Sequence, residues 1–201
     1  MSDADTRTGD RADRAAAGTP DTSDPLTSVC PGCGSVLAVV PGLADARPGA
    51  SPSCAELYRV TVRGLREEAV PDTRAAVLLQ LADDAYDAQH LVDDQPAAPA
   101  VRLCLWLERG VDPLRAGELA ARVTEAAPRL QTRPSRWTTT IGDLAADLDV
   151  VDLPALVRSW AEAVWTDWAP AHPALRGAAA AGGCGLPVRP RHGAPYIGDR
   201  E

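Results

Sequence analysis

Residues 72–90, DTRAAVLLQLADDAYDAQH, decide the fold class. The run holds no Gly or Pro, and Val77, Leu78, Leu81 and Ala85 recur at spacings that put them on one stripe of a helix. Asp72, directly after Pro71, carries the short acceptor side chain that caps a helix start. The expectation is a helix from Asp72 to Gln89 or His90, which leaves the His90 imidazole in the last turn, free to swing out toward a ligand.

Working outward, the neighbouring segments read the same way. Ser51-Pro52 is an N-cap followed by a first-turn proline, opening a helix through about Glu68 with Leu57, Val60 and Leu65 on one side and Val62 flanking. Arg59, Arg63, Glu67 and Glu68 supply its wet side. In VRLCLWLERG, residues 101–110, apolar positions alternate as in a strand, yet Cys104 and Trp106 make both faces apolar, so a buried helix from about Pro99 fits equally. The helical neighbours favour helix, with Gly110 as its terminator.

Asp112-Pro113 opens a further helix that offers Leu114, Leu119, Ala120 and Val123 for packing, and QTRPSRW, residues 131–137, is a break. Thr140 with Asp143 permits a short capped helix. Asp152-Leu153-Pro154 then opens the last major helix, through about Trp168, where Leu156, Trp160, Val164 and Trp168 recur every four residues and Val157 and Ala161 broaden the stripe. From Pro170 the helical signal decays.

At the front, residues 1–25 are polar and alternately charged with no apolar face, which predicts a disordered arm. Leu37–Val40 suits a short extended strand, and residues 41–50 form a Gly/Pro-rich loop. The expected architecture is mainly α: a compact helical domain over residues 26–176 with an N-terminal zinc knuckle, followed by a flexible tail over 177–201.

The chemistry concentrates in that knuckle. In CPGCG, residues 30–34, Pro31 and Gly32 bend the chain between two thiols, a geometry in which Cys30 and Cys33 can chelate one ion. Two ligands do not close a structural site. Cys54, in the first turn of a predicted helix where the amide end favours a thiolate, and His90, at the end of another, are the candidates to complete a Cys-Cys-Cys-His set for zinc. Taken singly, Cys54 reads more readily as a small buried hydrophobe and His90 as a cap or core hydrogen-bonder. The combination is what points to metal.

Around those four, Asp87 is the preferred carboxylate to orient the free imidazole nitrogen, although Asp83, Asp84 and Asp87 read equally as an acidic solvent face. Tyr86 and Gln89 are candidates to line a pocket beside the metal, and Glu56 is a nearby carboxylate two positions beyond Cys54. Trp160, Trp165 and Trp168 fit core packing or a binding surface. Cys104 suits a buried small residue and Cys184 a thiol unrelated to the site.

The stretches CPGCG (30–34), SPSCA (51–55) and DAYDAQH (84–90) resemble a bacterial family of uncharacterised proteins, domain of unknown function 5946, with its CPxCG, SPGCW-like and DAYxxQH segments. The resemblance extends to LERG at residues 107–110 and to the Trp-rich last helix, roughly residues 28–176. Ala55 stands where an aromatic is usual, Leu91 where Pro is common, and Pro99 or Arg102 where the family often has a further His. The resemblance implies a shared metal site and names no reaction.

Composition bounds the function. The formal charge is −8, from 28 acidic against 20 basic residues, which offers no general attraction to phosphate backbones, so no nucleic acid is expected. Lys and Phe are absent while Ala, Arg, Asp, Gly and Pro abound, the bias of a GC-rich bacterial genome. No stretch reaches the roughly 18 apolar residues that span a bilayer, and residues 1–25 lack the apolar run of a secretory signal. A cytoplasmic protein, in a compartment that keeps its five cysteines reduced, is the expectation. Phosphate-loop, dinucleotide-binding, zincin and nucleophile-elbow motifs are missing. The leading reading is a zinc-binding helical protein that binds a partner protein or small molecule around a structural metal; a zinc-dependent hydrolase or group-transfer enzyme and a thiol redox or zinc-responsive switch are the alternatives. No catalytic residue is assigned.

Overall fold

The computed structural model describes residues 26–43, 48–131 and 133–182. The predicted arm over residues 1–25 and the tail beyond Gly182, with Cys184, lie outside the described residues.

The chain is mainly helical. A small antiparallel hairpin comes first, β1 (Thr27–Val29) against β2 (Val36–Ala38), with Val29 facing Val36 in register. Helices α1 (Pro52–Thr61), α2 (Arg63–Glu68) and α3 (Thr73–Gln89) follow, then α4 (Ala98–Arg109), α5 (Pro113–Glu118) and α6 (Ala120–Ala126). Last come α7 (Ile141–Ala146), α8 (Leu153–Asp167), a short 3-10 turn and α9 (His172–Gly182).

The expected caps are in place. Ser51, Asp72, Asp112 and Asp152 side chains accept from the first-turn amides of α1, α3, α5 and α8, and the Thr140 amide bonds back to Asp143 at 2.7 Å. Residues 98–109 are helix and not strand, and Gly110 ends the helix in the left-handed conformation, φ 64°.

The segment from Ser51 to Glu68 is two helices instead of one. Val62, fully buried, leaves the helical region (φ −93°, ψ 8°), and the buried face is Cys54, Tyr58, Thr61, Val62 and Leu65. Val60, expected on the packed side, is 48% exposed. The phase of α1 is set by Cys54 and Tyr58 turning inward, which carries Val60 to the outside. Helical packing also runs past residue 176: Leu175, Ala178 and Ala179 of α9 are buried against α4 and α6.

At the centre of the core α3 packs against both α8 and α4, which also meet each other. Leu81, Val101, Leu103, Leu105 and Trp160 are fully buried there, each worth about 1.5–3 kcal/mol of transfer free energy. The C-terminal end of α3 meets the hairpin turn where His90 approaches Cys30, and α7 packs on α1. That placement brings the front of the chain to the last turn of α3.

Candidate metal centre

Cys30, Cys33, Cys54 and His90 come together from three separate pieces of chain. Their ligand atoms all lie within 4.8 Å of one another and all four residues are buried. Cys30 and Cys33 flank the turn between β1 and β2, Cys54 stands in the first turn of α1, and His90 caps α3. The Nε2 of His90 is 3.4 Å from the Cys30 sulfur and 3.4 Å from the Cys54 sulfur, and the Cys33 and Cys54 sulfurs are 3.7 Å apart. Those are the edges of a tetrahedron: zinc–sulfur bonds of about 2.3 Å at tetrahedral angles separate two sulfurs by about 3.8 Å. The donors fit a tetrahedral metal ion.

The backbone around the knuckle is built for this approach. Cys30 N–H bonds Ser35 O and Gly34 N–H bonds Cys30 O, both at 2.9 Å, closing a tight loop in which Gly34 takes φ 78°. Two glycines let the loop reach His90. A Cβ on Gly32 would stand 2.5 Å from the imidazole Cδ2, and one on Gly49, whose φ is 84°, would stand 2.1 Å from the His90 carbonyl oxygen. Trp137, from the segment after α6, donates its indole N–H to the Gly32 carbonyl at 2.8 Å and pins the turn from outside.

The ring of His90 is oriented by main chain. Its Nδ1 lies 2.6 Å from the Tyr86 carbonyl, which only accepts, so Nδ1 carries a proton and Nε2 is the nitrogen that faces the sulfurs. Sequence reasoning gives that role to Asp87; in the last turn of α3 the main-chain oxygen four residues back takes the Nδ1 proton, and Asp87 is half-buried.

Burial opposes a charged His90, but the sulfurs of Cys30 and Cys33 and the Tyr86 carbonyl outweigh it and raise its pKa to about 9. Cys33 and Cys54 hold the Cys30 thiol far below the ordinary thiol range; the Cys54 thiol is pushed up by Cys30 and Cys33 together with burial. A pocket that draws a proton onto imidazole with negative sulfur draws a metal cation by the same field. Three thiolates around a dication leave one net negative charge. The Ser51 amide at 3.4 Å from Cys30 Sγ and the Tyr86 hydroxyl at 3.8 Å from Cys54 Sγ point donors at it.

Tyr86 thus touches the site, stacked on His90 with ring centroids 4.0 Å apart, and burial raises its phenol above the usual range, with Cys54 adding to that. Gln89 does not line a pocket. It is fully buried, donating to the Thr139 carbonyl at 2.8 Å and accepting from the Trp160 indole at 3.1 Å, so it ties α3 to α8 and to the approach of α7. Glu56 is engaged elsewhere: its carboxylate pairs with Arg59 (2.7 Å to Nε), which lowers its pKa. Two residues along a helix is about 200°, the far side from Cys54.

Sequence reasoning left out Tyr58, which stacks on Tyr86 at 4.1 Å and donates to Asp83 at 2.7 Å, and the buried pair of Asp84 with Arg102 at 2.7 Å. The i, i+4 spacing of Cys54 and Tyr58 was the available signal for the first; nothing local marks the second. The Trp-rich helix is core: Trp160, Trp165 and Trp168 are all buried, and Cys104 is buried as expected.

A cleft of about 730 Å³ lies against the outer face of the knuckle, lined by Cys30 to Ser35 on one side and Arg133 to Trp137 on the other.

The knuckle, α1 and the DAYDAQH end of α3 all fall inside residues 28–169, the span matched by the model of a family of unknown function. The chain belongs to this family, DUF5946. The matched span of the DUF5946 protein takes in all four ligand residues and stops before α9, so the site belongs to the family's part of the chain. No curated protein and no solved structure matches it.

Proposed function

We propose that this DUF5946 protein is a zinc-binding helical module in which the metal is structural and the neighbouring surface binds a small molecule or partner protein. One observation carries the reading: three sulfurs and the inward-turned Nε2 of one imidazole lie at tetrahedral separations in a buried pocket. Three thiolates and a nitrogen suit zinc among abundant divalent metals, because its filled d shell accepts tetrahedral geometry without preference. Cys30 and Cys33 would bring the hairpin, Cys54 the start of α1 and His90 the end of α3, so binding free energy becomes folding free energy for the front of the chain.

Four protein donors fill a tetrahedral shell, which leaves no open position of the kind a catalytic zinc needs. That favours the structural role over a hydrolase or group-transfer enzyme. The burial of Cys30 and Cys33 favours it over an exchangeable thiol pair. A reducing, cytosolic setting fits thiolate ligands, and no helix among the described residues is long and apolar enough to cross a membrane.

The test is metal analysis of purified protein with a spectrum of its cobalt-substituted form. One equivalent of zinc and intense tetrahedral cobalt–thiolate bands are expected, both lost in Cys54→Ser. Metal-free protein with an unchanged fold overturns the proposal.

A further inference from the structure

The cleft beside the knuckle carries charges that the fold does not consume. Arg136 makes no hydrogen bond or ion pair among the described residues, and Arg133 donates only to a neutral acceptor, the Leu91 carbonyl, at 2.6 Å. Two carboxylates line the same cleft and they are not equivalent. Asp143 is engaged, accepting the amide and hydroxyl of Thr140 at 2.7 and 2.8 Å, which leaves Asp93 as the one acidic group with nothing bonded to it among the described residues. Arg133 and Arg136 thus stand on one short wall of the cleft with no ion pair among the described residues. Guanidinium groups present a planar fork of donors that matches carboxylate and phosphate oxygens.

The remaining walls mix polar Ser35, Gln131, Ser135 and Thr140 with four apolar side chains. Val29 and Pro31 come from the knuckle side and Pro134 and Trp137 from the opposite side. A volume of about 730 Å³ lies within the range of small-molecule sites, roughly 300–1,000 Å³.

We propose that this cleft binds a small organic anion, its carboxylate or phosphate group held by Arg133 and Arg136 and its apolar body lying against Trp137 and the two prolines. The assignment rests on the structural-metal reading, since the knuckle that forms one wall is the segment the metal would hold. Trp137 serves both sides of the arrangement, lining the cleft while its indole N–H fixes the Gly32 carbonyl.

Isothermal titration of the purified full-length protein with benzoate, acetate and inorganic phosphate tests it, with metal content measured on every sample. Saturable one-to-one binding is expected, tighter for benzoate than for acetate, weakened about tenfold or more in Arg136→Ala, partly kept in Arg136→Lys, and unchanged in Arg74→Ala on the far end of α3. Binding of phosphate in preference to benzoate assigns the anionic group as phosphate and supports the site. No saturable binding of any of the three, or equal binding in Arg136→Ala, overturns it. Metal-loaded protein that binds none of the anions defeats this inference alone; metal-free, folded protein defeats the structural-metal reading whatever the anions do.

Discussion

The middle of α3 and its C-terminal end are held by different physics. Its middle lies among Leu103, Leu105, Trp160 and their neighbours, side chains removed from water altogether. At its C-terminal end it meets a hairpin whose apolar residues, the half-buried Leu37 apart, stay wet: Leu26 is 79% exposed, Val29 and Val36 64% each. A two-stranded hairpin is marginal by itself in water, and here its outward side chains add almost no burial. What attaches it is a set of polar and sulfur contacts: the four-donor cluster, Ser51 N–H on Cys30, Ser53 on the Ala38 carbonyl at 2.7 Å and Trp137 on Gly32. The helical core can be stable through area, whereas the front depends on a few bonds that all have to form at once.

The sharpest way to break that contrast is to remove the metal. Structural zinc contributes on the order of 10 kcal/mol in zinc-finger peptides, more than the hairpin and the start of α1 have in reserve. Exhaustive chelation is expected to abolish hydrogen-exchange protection over residues 27–38 and in α1 while amides of α3, α4 and α8 stay slow. Uniform loss across the chain, or none, removes the distinction between the two regions.

Next in size is Gly49→Ala. The residue sits at positive φ and its new methyl would fall on the His90 carbonyl, main chain that cannot step aside. Positive φ alone costs about 1–2 kcal/mol, and with the displaced backbone a loss of about 3 kcal/mol is expected in denaturant unfolding, together with weaker metal retention. A variant that keeps its metal and melts like the parent argues that the loop approaches His90 less closely.

A smaller effect sharpens the core side of the comparison. Burial raises the Asp84 pKa to about 7, with Arg102 and Gln80 pulling it back down in part. The folded state therefore holds this proton more tightly than the unfolded chain, whose carboxyl titrates near 4. Its contribution is complete below pH 4 and is lost as pH climbs through 7. Over pH 5.5 to 8 the parent should lose stability more steeply than Asp84→Asn, measured by urea midpoints. Parallel slopes would mean that the ion pair with Arg102 keeps Asp84 ionised throughout.

The smallest expected change is at Glu56→Gln. The carboxylate is paired with exposed Arg59 on the solvent side of α1, so stability should move by less than about 0.5 kcal/mol and metal content should not move. A loss of metal in that variant would bring the carboxylate back into the site.

These two regions also differ in how far they can be read without coordinates. The helices of the core announce themselves through period and caps, and Asp72, Asp112 and Asp152 do what short acceptors before a helix do. The break at Val62 has no such mark, because it answers to Cys54 and Tyr58 having to face inward, a tertiary demand. Strand β1 is three residues long and carries no pattern of its own. The ligand set was legible because Cys and His are rare here and their chemistry is narrow. Their surroundings were not: Asp87 stood out as a charged neighbour of His90, but a main-chain carbonyl present in any sequence took the ring nitrogen.

What the residues alone determined is the helical character, the positions of most helix starts and the four donors, all consequences of local spacing and of side-chain chemistry that no context changes. The tertiary structure decided that the donors converge, that Gly32 and Gly49 must lack side chains, that Gln89 is a buried tie between helices and that Arg133 and Arg136 share a cleft with the knuckle. Those depend on the distance between segments far apart in the chain, a quantity fixed only when the whole core packs.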